Sequence, residues 1–304
     1  MEVQHVEFPA EHGRAIRLFD GVTGRLVFLP PPTGMLTLRL PWVAPEVRGL
    51  GQERLAAVAD ALLRFLVWKG YRVGVRYGFR GPYPREGGPF GIDVLGQPEG
   101  SAGPVEPLCR VVVGPVEVHG ACHHDGAHRT GRVPTVADVV GGTLTAADVR
   151  FALLVAGHHR HPRRFRCADL HAGHGLFQDA RVARRRLRLL VARMQPRPAP
   201  SFPALSRPAP PPPPLPHTYA AAMGGTPSTE AHWRGTAPAL RRCDDALSRG
   251  LNVPLAFGTL YGSLRHGAAS PELAGAAQAL LPLGVGGDSG GGSPPSIGPA
   301  TGGR

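Results

Sequence analysis

The chain has 304 residues, 42 of them Gly and 34 Pro, and a formal net charge of +12. A quarter Gly plus Pro lies at the edge of the low-complexity range, but 42% hydrophobic residues can still build a core, so folded parts separated by disordered ones are expected. The charge favours a polyanionic partner or an anionic surface. No apolar run approaches the length of a membrane span, and the opening MEVQHVEFPAEHG has neither a basic n-region nor an apolar h-region, so the expectation is a soluble, cytoplasmic protein with no membrane partner.

Of the 34 basic residues, Lys69 alone is a lysine and the rest are arginine. The genome of a high-GC bacterium would impose this bias, so arginine abundance by itself is no evidence of phosphate binding. The four cysteines, at 109, 122, 167 and 243, form no Cys-x-x-Cys pair and read as reduced thiols.

In chain order, Ala15–Asp20 and Thr23–Phe28 read as a hairpin around Asp20-Gly21. Met35–Leu40 alternates apolar with polar or basic residues, and Pro41 ends it as a strand. Gly49 and Gly51 then open a helix. Its residues Leu55, Val58, Ala59, Leu62, Phe65 and Leu66 share one face at a 3.6-residue period. Gly70 stops that helix, and Tyr71–Val75 is the next strand. This strand–helix–strand unit is of the kind that binds nucleotides where the loop meets the helix N-terminus. It departs from the dinucleotide fingerprint, because Arg76 and Tyr77 stand where an acidic residue belongs.

Gly78–Gly103 reads as a Gly/Pro-rich loop, and Val111–Val118 as strand, turn, strand. His119, Cys122, His123, His124 and His128 follow, five potential ligands within ten residues. Cys and His suit zinc or another late transition metal, but the spacing matches no standard finger, and a solvated His-rich loop is the other reading. Thr145 can N-cap a helix from Ala146 to about Gly157, with Asp148 favourable in its first turn and Val149, Ala152, Leu153 and Ala156 facing inward. Gln178–Met194 is an amphipathic helix. Ala183, Leu187, Leu190, Val191 and Met194 form one face, and Arg181, Arg184, Arg185 and Arg188 another. The arginine face suits RNA phosphates, or is simply solvated. Gln195–Pro216 is a polyproline-type spacer or a ligand for an aromatic-grooved partner protein. Ala237–Leu281 is helical with a stop–start at Asn252 and Pro254, and Gly284–Arg304 reads as disordered.

The string Val58-Ala59-Asp60-Ala61-Leu62-Leu63-Arg64-Phe65-Leu66, running to Gly70-Tyr71-Arg72-Val73, resembles the first half of the cysteinyl-tRNA synthetase family and its relative, the mycothiol cysteine ligase. Val149–Phe165 is similar to that family's V-R-Y-x-L-L-x-x-H-Y-R-x-P-L-x-F, with one extra residue near Gly157. Cys243–Phe257 is similar to its D-D-D-L/F-N-T-P-x-A-L. The resemblance implies an α/β class, with an abridged class I synthetase (Rossmann-like) nucleotide domain followed by an all-α helical bundle. The divisions expected are 15–132 for the nucleotide domain and 133–195 for a stem-contact and helical region, with a Pro-rich linker at 196–235 that composition marks and the family lacks there. C-terminal helices at 236–283 and a disordered tail at 284–304 complete them.

The same resemblance places Gly49, Gly51 and Gln52 at the family's His-Ile-Gly-His loop, with both histidines gone. It places Asp125, His128 and Arg129 at its Lys-Met-Ser-Lys-Ser loop, with no lysine there. Those donors stabilise phosphate charge during adenylate formation, and losing one typically costs on the order of 10²–10³ in rate. No catalytic set is therefore intact. The family uses ATP and zinc, but with these motifs degenerate neither cofactor is expected. His119, Cys122, His123 and His124 are the remaining metal candidates. The first expectation is a pseudo-synthetase that binds tRNA through Arg160, Arg163 and Arg164 and through Arg181, Arg184, Arg185 and Arg188, or binds a partner protein. The alternative is a cysteine-activating ligase rebuilt around Gln52, Arg129 and the His119–His128 cluster. A relic of a duplicated gene is the third.

Overall fold

A computed structural model describes residues 15–29, 35–41, 49–77, 90–97, 107–119, 135–140, 144–170, 175–194, 233–266 and 270–281. The hairpin forms as expected, with β1 (Arg17–Phe19) antiparallel to β2 (Leu26–Phe28). Asp20 builds the turn. Its carboxylate accepts from the Val22 and Thr23 backbone N–H groups and from the Thr23 hydroxyl, at 3.1, 3.2 and 2.7 Å. It also accepts from the backbone of Arg110 at 3.0 Å, which fastens the turn to a neighbouring strand. Burial pushes the Asp20 carboxyl up, and these donors outweigh it and hold it below the usual value.

β3 (Met35–Leu40) and β4 (Arg72–Tyr77) pair in parallel, joined by α1 (Leu50–Trp68). A parallel pair requires such a crossover. The helix buries Leu55, Val58, Ala59, Leu62, Phe65 and Leu66, the face its periodicity predicts. Burial of each large apolar side chain stabilises by about 1.5–3 kcal/mol. Gly70 ends it at φ 84°, a left-handed conformation that glycine adopts without the Cβ penalty.

β5 (Phe90–Gln97) corrects the expectation of a loop from 78 to 103. It lies inside the sheet, antiparallel to β3 on one side and to β6 (Pro107–Val113) on the other, giving the order β4-β3-β5-β6. Ile92 and Val94 are fully buried, and they carry the sheet's inner face across to Cys109, Val111 and Val113. The strand, turn and strand expected over 111–118 form as β6 and β7 (Val116–His119), but the two do not pair with each other. β7 leaves β6 and pairs in parallel with β8 (Arg163–Arg166). The turn between β6 and β7 carries Gly114, where a Cβ would strike the His161 carbonyl, so only glycine lets the two backbones approach.

The helices cover the inner face. A short α2 (Val136–Val139) precedes α3 (Ala146–Val155), which Thr145 and Asp148 start with a reciprocal capping box. α3 stops at Val155, two residues short of the expected end, because the chain turns at Ala156 and Gly157 toward β8. A 3-10 turn at Cys167–Leu170 leads on from β8. α4 (Leu176–Met194) packs on α3, and Phe177 stacks on Phe165 of β8 at 5.0 Å between ring centroids. α5 (Trp233–Ser248), α6 (Val253–Arg265) and α7 (Pro271–Leu280) follow, with Asn252 capping α6 through the Leu255 N–H at 3.2 Å. α7 packs against both α1 and α4, and Phe257 of α6 meets Phe151 of α3 edge-on at 5.2 Å. The fold is thus a four-stranded mixed sheet with a layer of helices, one buried apolar cluster running from Ile16 to Leu281.

Candidate nucleic-acid interface

The N-terminus of α1 is closed. Gly49 is bridged to Thr135, Leu50 and Gly51 are buried, and Gln52 is half-buried. Gly49 at the N-cap offers no side-chain acceptor, but Glu53 lies in the first turn with a buried carboxylate 2.9 Å from Nε of Arg150. That carboxylate takes the position at which the helix dipole would otherwise favour an external anion.

One residue further on, Arg54 is 1% exposed, and no carboxylate among the described residues pairs with it. Its guanidinium donates instead to the carbonyls of Gly114, His161 and His158 at 3.0, 2.8 and 3.0 Å. Burial, and then the neighbouring Arg163, lower its pKa to about 10, so it stays charged at neutral pH. Through the three carbonyls Arg54 fixes both the loop between α3 and β8, at His158 and His161, and the β6–β7 turn, at Gly114, on the start of α1. His159 of that loop is 4% exposed. Burial and the nearby His158 and Arg54 push its pKa down to about 3, so its imidazole is neutral at pH 7. Sequence reasoning missed Arg54. The signal was its place among the buried positions of the α1 stripe.

The first predicted basic patch lies on this loop and β8. Arg160 is exposed and its guanidinium carbon sits 3.2 Å from the centroid of the Phe19 ring, a cation–π contact. Arg163 is half-buried, 5.4 Å from the Phe165 ring centroid, and its Nε is buried without a hydrogen bond. Arg164 is 71% exposed and pairs with Glu117 at 2.9 Å. His119, at the end of β7, is also exposed and lies 3.4 Å from the same Glu117 carboxylate. Cys122, His123, His124, Asp125, His128 and Arg129 fall outside the described residues. Among the described residues no group of three His, Cys, Asp or Glu side chains could hold a metal ion.

The second patch, on α4, divides. Arg184 is corrected from the RNA-facing set, because it is 3% exposed and its Nη1 lies 2.8 Å from Oδ1 of Asp148. It sits on the apolar stripe Phe177, Ala180, Leu187 and Val191, all buried, and there its charge needs a carboxylate. Burial pushes the Asp148 carboxyl up, while Thr145 and Arg184 outweigh that and hold it below the usual value. Arg185 is exposed, and so are Arg186 and Arg193, which the sequence reading left out. Arg181 and Arg188 are half-buried on the flanks, Arg181 reaching Gln178 at 3.5 Å.

A further set of arginines becomes visible only with β5 in place. The register sets Arg76 of β4 beside Arg39 of β3, Arg39 beside Asp93 of β5, and Asp93 beside Arg110 of β6. Arg76 is exposed, Arg39 half-buried, and the Arg110 side chain 42% exposed. Asp93 lies 3.7 Å from the Arg110 guanidinium, and burial raises its carboxyl against the pull of Arg110 and Arg39.

No protein-family model matches the chain, and no curated protein matches it. No described helix is long and apolar enough to cross a membrane.

Proposed function

We propose that this protein is a non-catalytic, synthetase-like tRNA-binding protein. The observation that carries the reading is the filled N-terminus of α1. The cysteinyl-tRNA synthetase resemblance puts the catalytic loop there, but Gly49 is bridged to Thr135 and Leu50 and Gly51 are buried. The Glu53 carboxylate also occupies the helix-dipole position. A triphosphate brought to this turn meets an apolar plug and a like charge. Exposed arginines remain elsewhere, at Arg160 and Arg164 beside β8 and at Arg185 on α4. They suit phosphodiester contacts, which give affinity by counterion release without base specificity. An abridged class I nucleotide domain with an appended helical bundle, in a cytoplasmic protein, belongs to the same reading.

The test is cysteine-dependent ATP–pyrophosphate exchange and tRNA binding, measured on the same folded preparation. The expected result is no exchange above background together with a salt-sensitive tRNA complex. Exchange above background would favour a rebuilt cysteine-activating ligase and overturn the reading.

A further inference from the structure

We propose that the charged row Arg76–Arg39–Asp93–Arg110 is a docking surface for the phosphodiester backbone of single-stranded RNA. The proposal rests on the tRNA-binding reading and names a surface for it that neither predicted patch contains.

The row arises from register alone. Each of the four residues stands on a different strand, each directly opposite the next, so their side chains leave the sheet on one face. That face is the one turned away from α1. Leu36, Leu38, Val94 and Val111, at the alternate positions, are buried against the helix layer. On the row's own face Thr37 and Leu95, the next pair along, are buried too, so that face is covered beside the row and open at Arg76 and Arg110. Neighbouring strands lie about 4.8 Å apart, so the four positions span about 14 Å in a line. A single small anion would engage one or two of these guanidiniums. A line of positive charge over that length complements a chain of repeating negative charge.

The row lies at the C-terminal ends of β3 and β4, one residue before Leu40 and Tyr77 end the pairing. Arg110 lies low across β5, where a Cβ on Gly91 would collide with its guanidinium, so glycine there leaves the arginine room to lie flat. Asp93 lowers the positive charge of the surface without reversing it. It offsets one of the three guanidiniums, holding Arg110 at 3.7 Å and facing Arg39. No aromatic residue stands in the row, so the base-stacking platform of sequence-reading sheets is missing from it. The surface therefore reads charge and not sequence.

The experiment is fluorescence anisotropy of the full chain with a labelled oligouridine at several salt concentrations from 50 mM upward. For single strands each phosphate contact contributes about 0.7 to the log–log salt slope, and so about eightfold in affinity at 50 mM relative to 1 M. Arg39→Ala/Arg76→Ala should weaken binding roughly 50-fold at 50 mM and flatten the slope by about 1.4. Asp93→Asn should tighten binding by up to about eightfold, a gain that misfolding cannot produce. Circular dichroism melts establish that each variant is folded. Normal binding by the folded double variant, with no tightening in Asp93→Asn, would overturn the row as the surface. If loss came only from Arg185→Ala/Arg186→Ala, the α4 patch would replace it and tRNA binding would stand. A wild-type chain that binds neither tRNA nor oligouridine would remove the parent reading instead.

Discussion

The only lysine in the chain is buried in an ion pair, and removing it tests the helix packing directly. Lys69, just past the end of α1, places Nζ 3.0 Å from Oδ1 and 3.2 Å from Oδ2 of Asp244 on α5. The two side chains are 6% and 10% exposed. Ser248 adds a hydroxyl to the same carboxylate at 3.2 Å. Lys69→Met removes the ammonium and leaves Asp244 buried with mainly that hydroxyl, a loss of about 3–5 kcal/mol for a broken buried pair. With a urea m-value of about 2 kcal/mol per M, the unfolding midpoint should fall by roughly 1.5–2.5 M. Lys69→Met/Asp244→Leu removes both charges and should recover most of the loss, since an apolar replacement of a buried pair is often close to neutral. An amine-reactive label offers an independent readout, because Lys69 is the only side-chain amine. If labelling needs global opening and stability is about 5 kcal/mol, acylation should be slowed by about 5 × 10³ against a model amine. A Lys69→Met midpoint within about 0.3 M of wild type, or native labelling at the model-amine rate, would refute the buried Lys69–Asp244 pair that ties the end of α1 to α5.

Three further outcomes follow from buried polar groups. His159, with its pKa lowered to about 3, is neutral in the fold but binds a proton near pH 6.5 when unfolded. The unfolded chain then holds more protons below pH 6.5, so stability falls with acidity, by about 2 kcal/mol between pH 7 and pH 5. His159→Gln should flatten that slope in urea titrations, and an unchanged slope would contradict a buried neutral imidazole. Asp20→Ala should cost about 2 kcal/mol in thermal or urea unfolding, because it strips the turn of its acceptor and leaves the Arg110 N–H short of a partner. Arg184→Ala should cost about 3 kcal/mol, while Arg185→Ala should shift stability by less than about 0.5 kcal/mol. Equal effects of the two would contradict the inward turn of Arg184.

Sequence reasoning read the elements whose periodicity is unbroken. α1 carries its apolar residues at helical spacing between a glycine opening and Gly70, and it forms over Leu50–Trp68. β3 alternates cleanly between turn residues and matches Met35–Leu40 residue for residue. The Asn252 and Thr145 caps were legible because a side chain three residues before a free N–H is a local event. β5 was hidden by composition. Gly91 and Asp93 occupy two of its outward positions and Gly96 follows, so only the short buried set Ile92, Val94 and Leu95 marked a strand inside a Gly/Pro-rich stretch. Missing β5 also hid the charged row, since Asp93 is what joins Arg39 to Arg110. Arg184 and Arg54 failed for another reason. Residue type said surface, while position on the apolar stripe said core, and position prevailed because Asp148 and three backbone carbonyls were there to receive the guanidiniums.

The proposed tRNA binding is tested most directly by a tRNA titration across salt. Anisotropy of labelled tRNA should show a saturable complex at 50 mM salt that weakens steadily up to 300 mM. Several arginine–phosphate contacts would give a log–log slope of roughly −3. No complex at 50 mM from folded protein, or a complex whose affinity ignores salt, would contradict it.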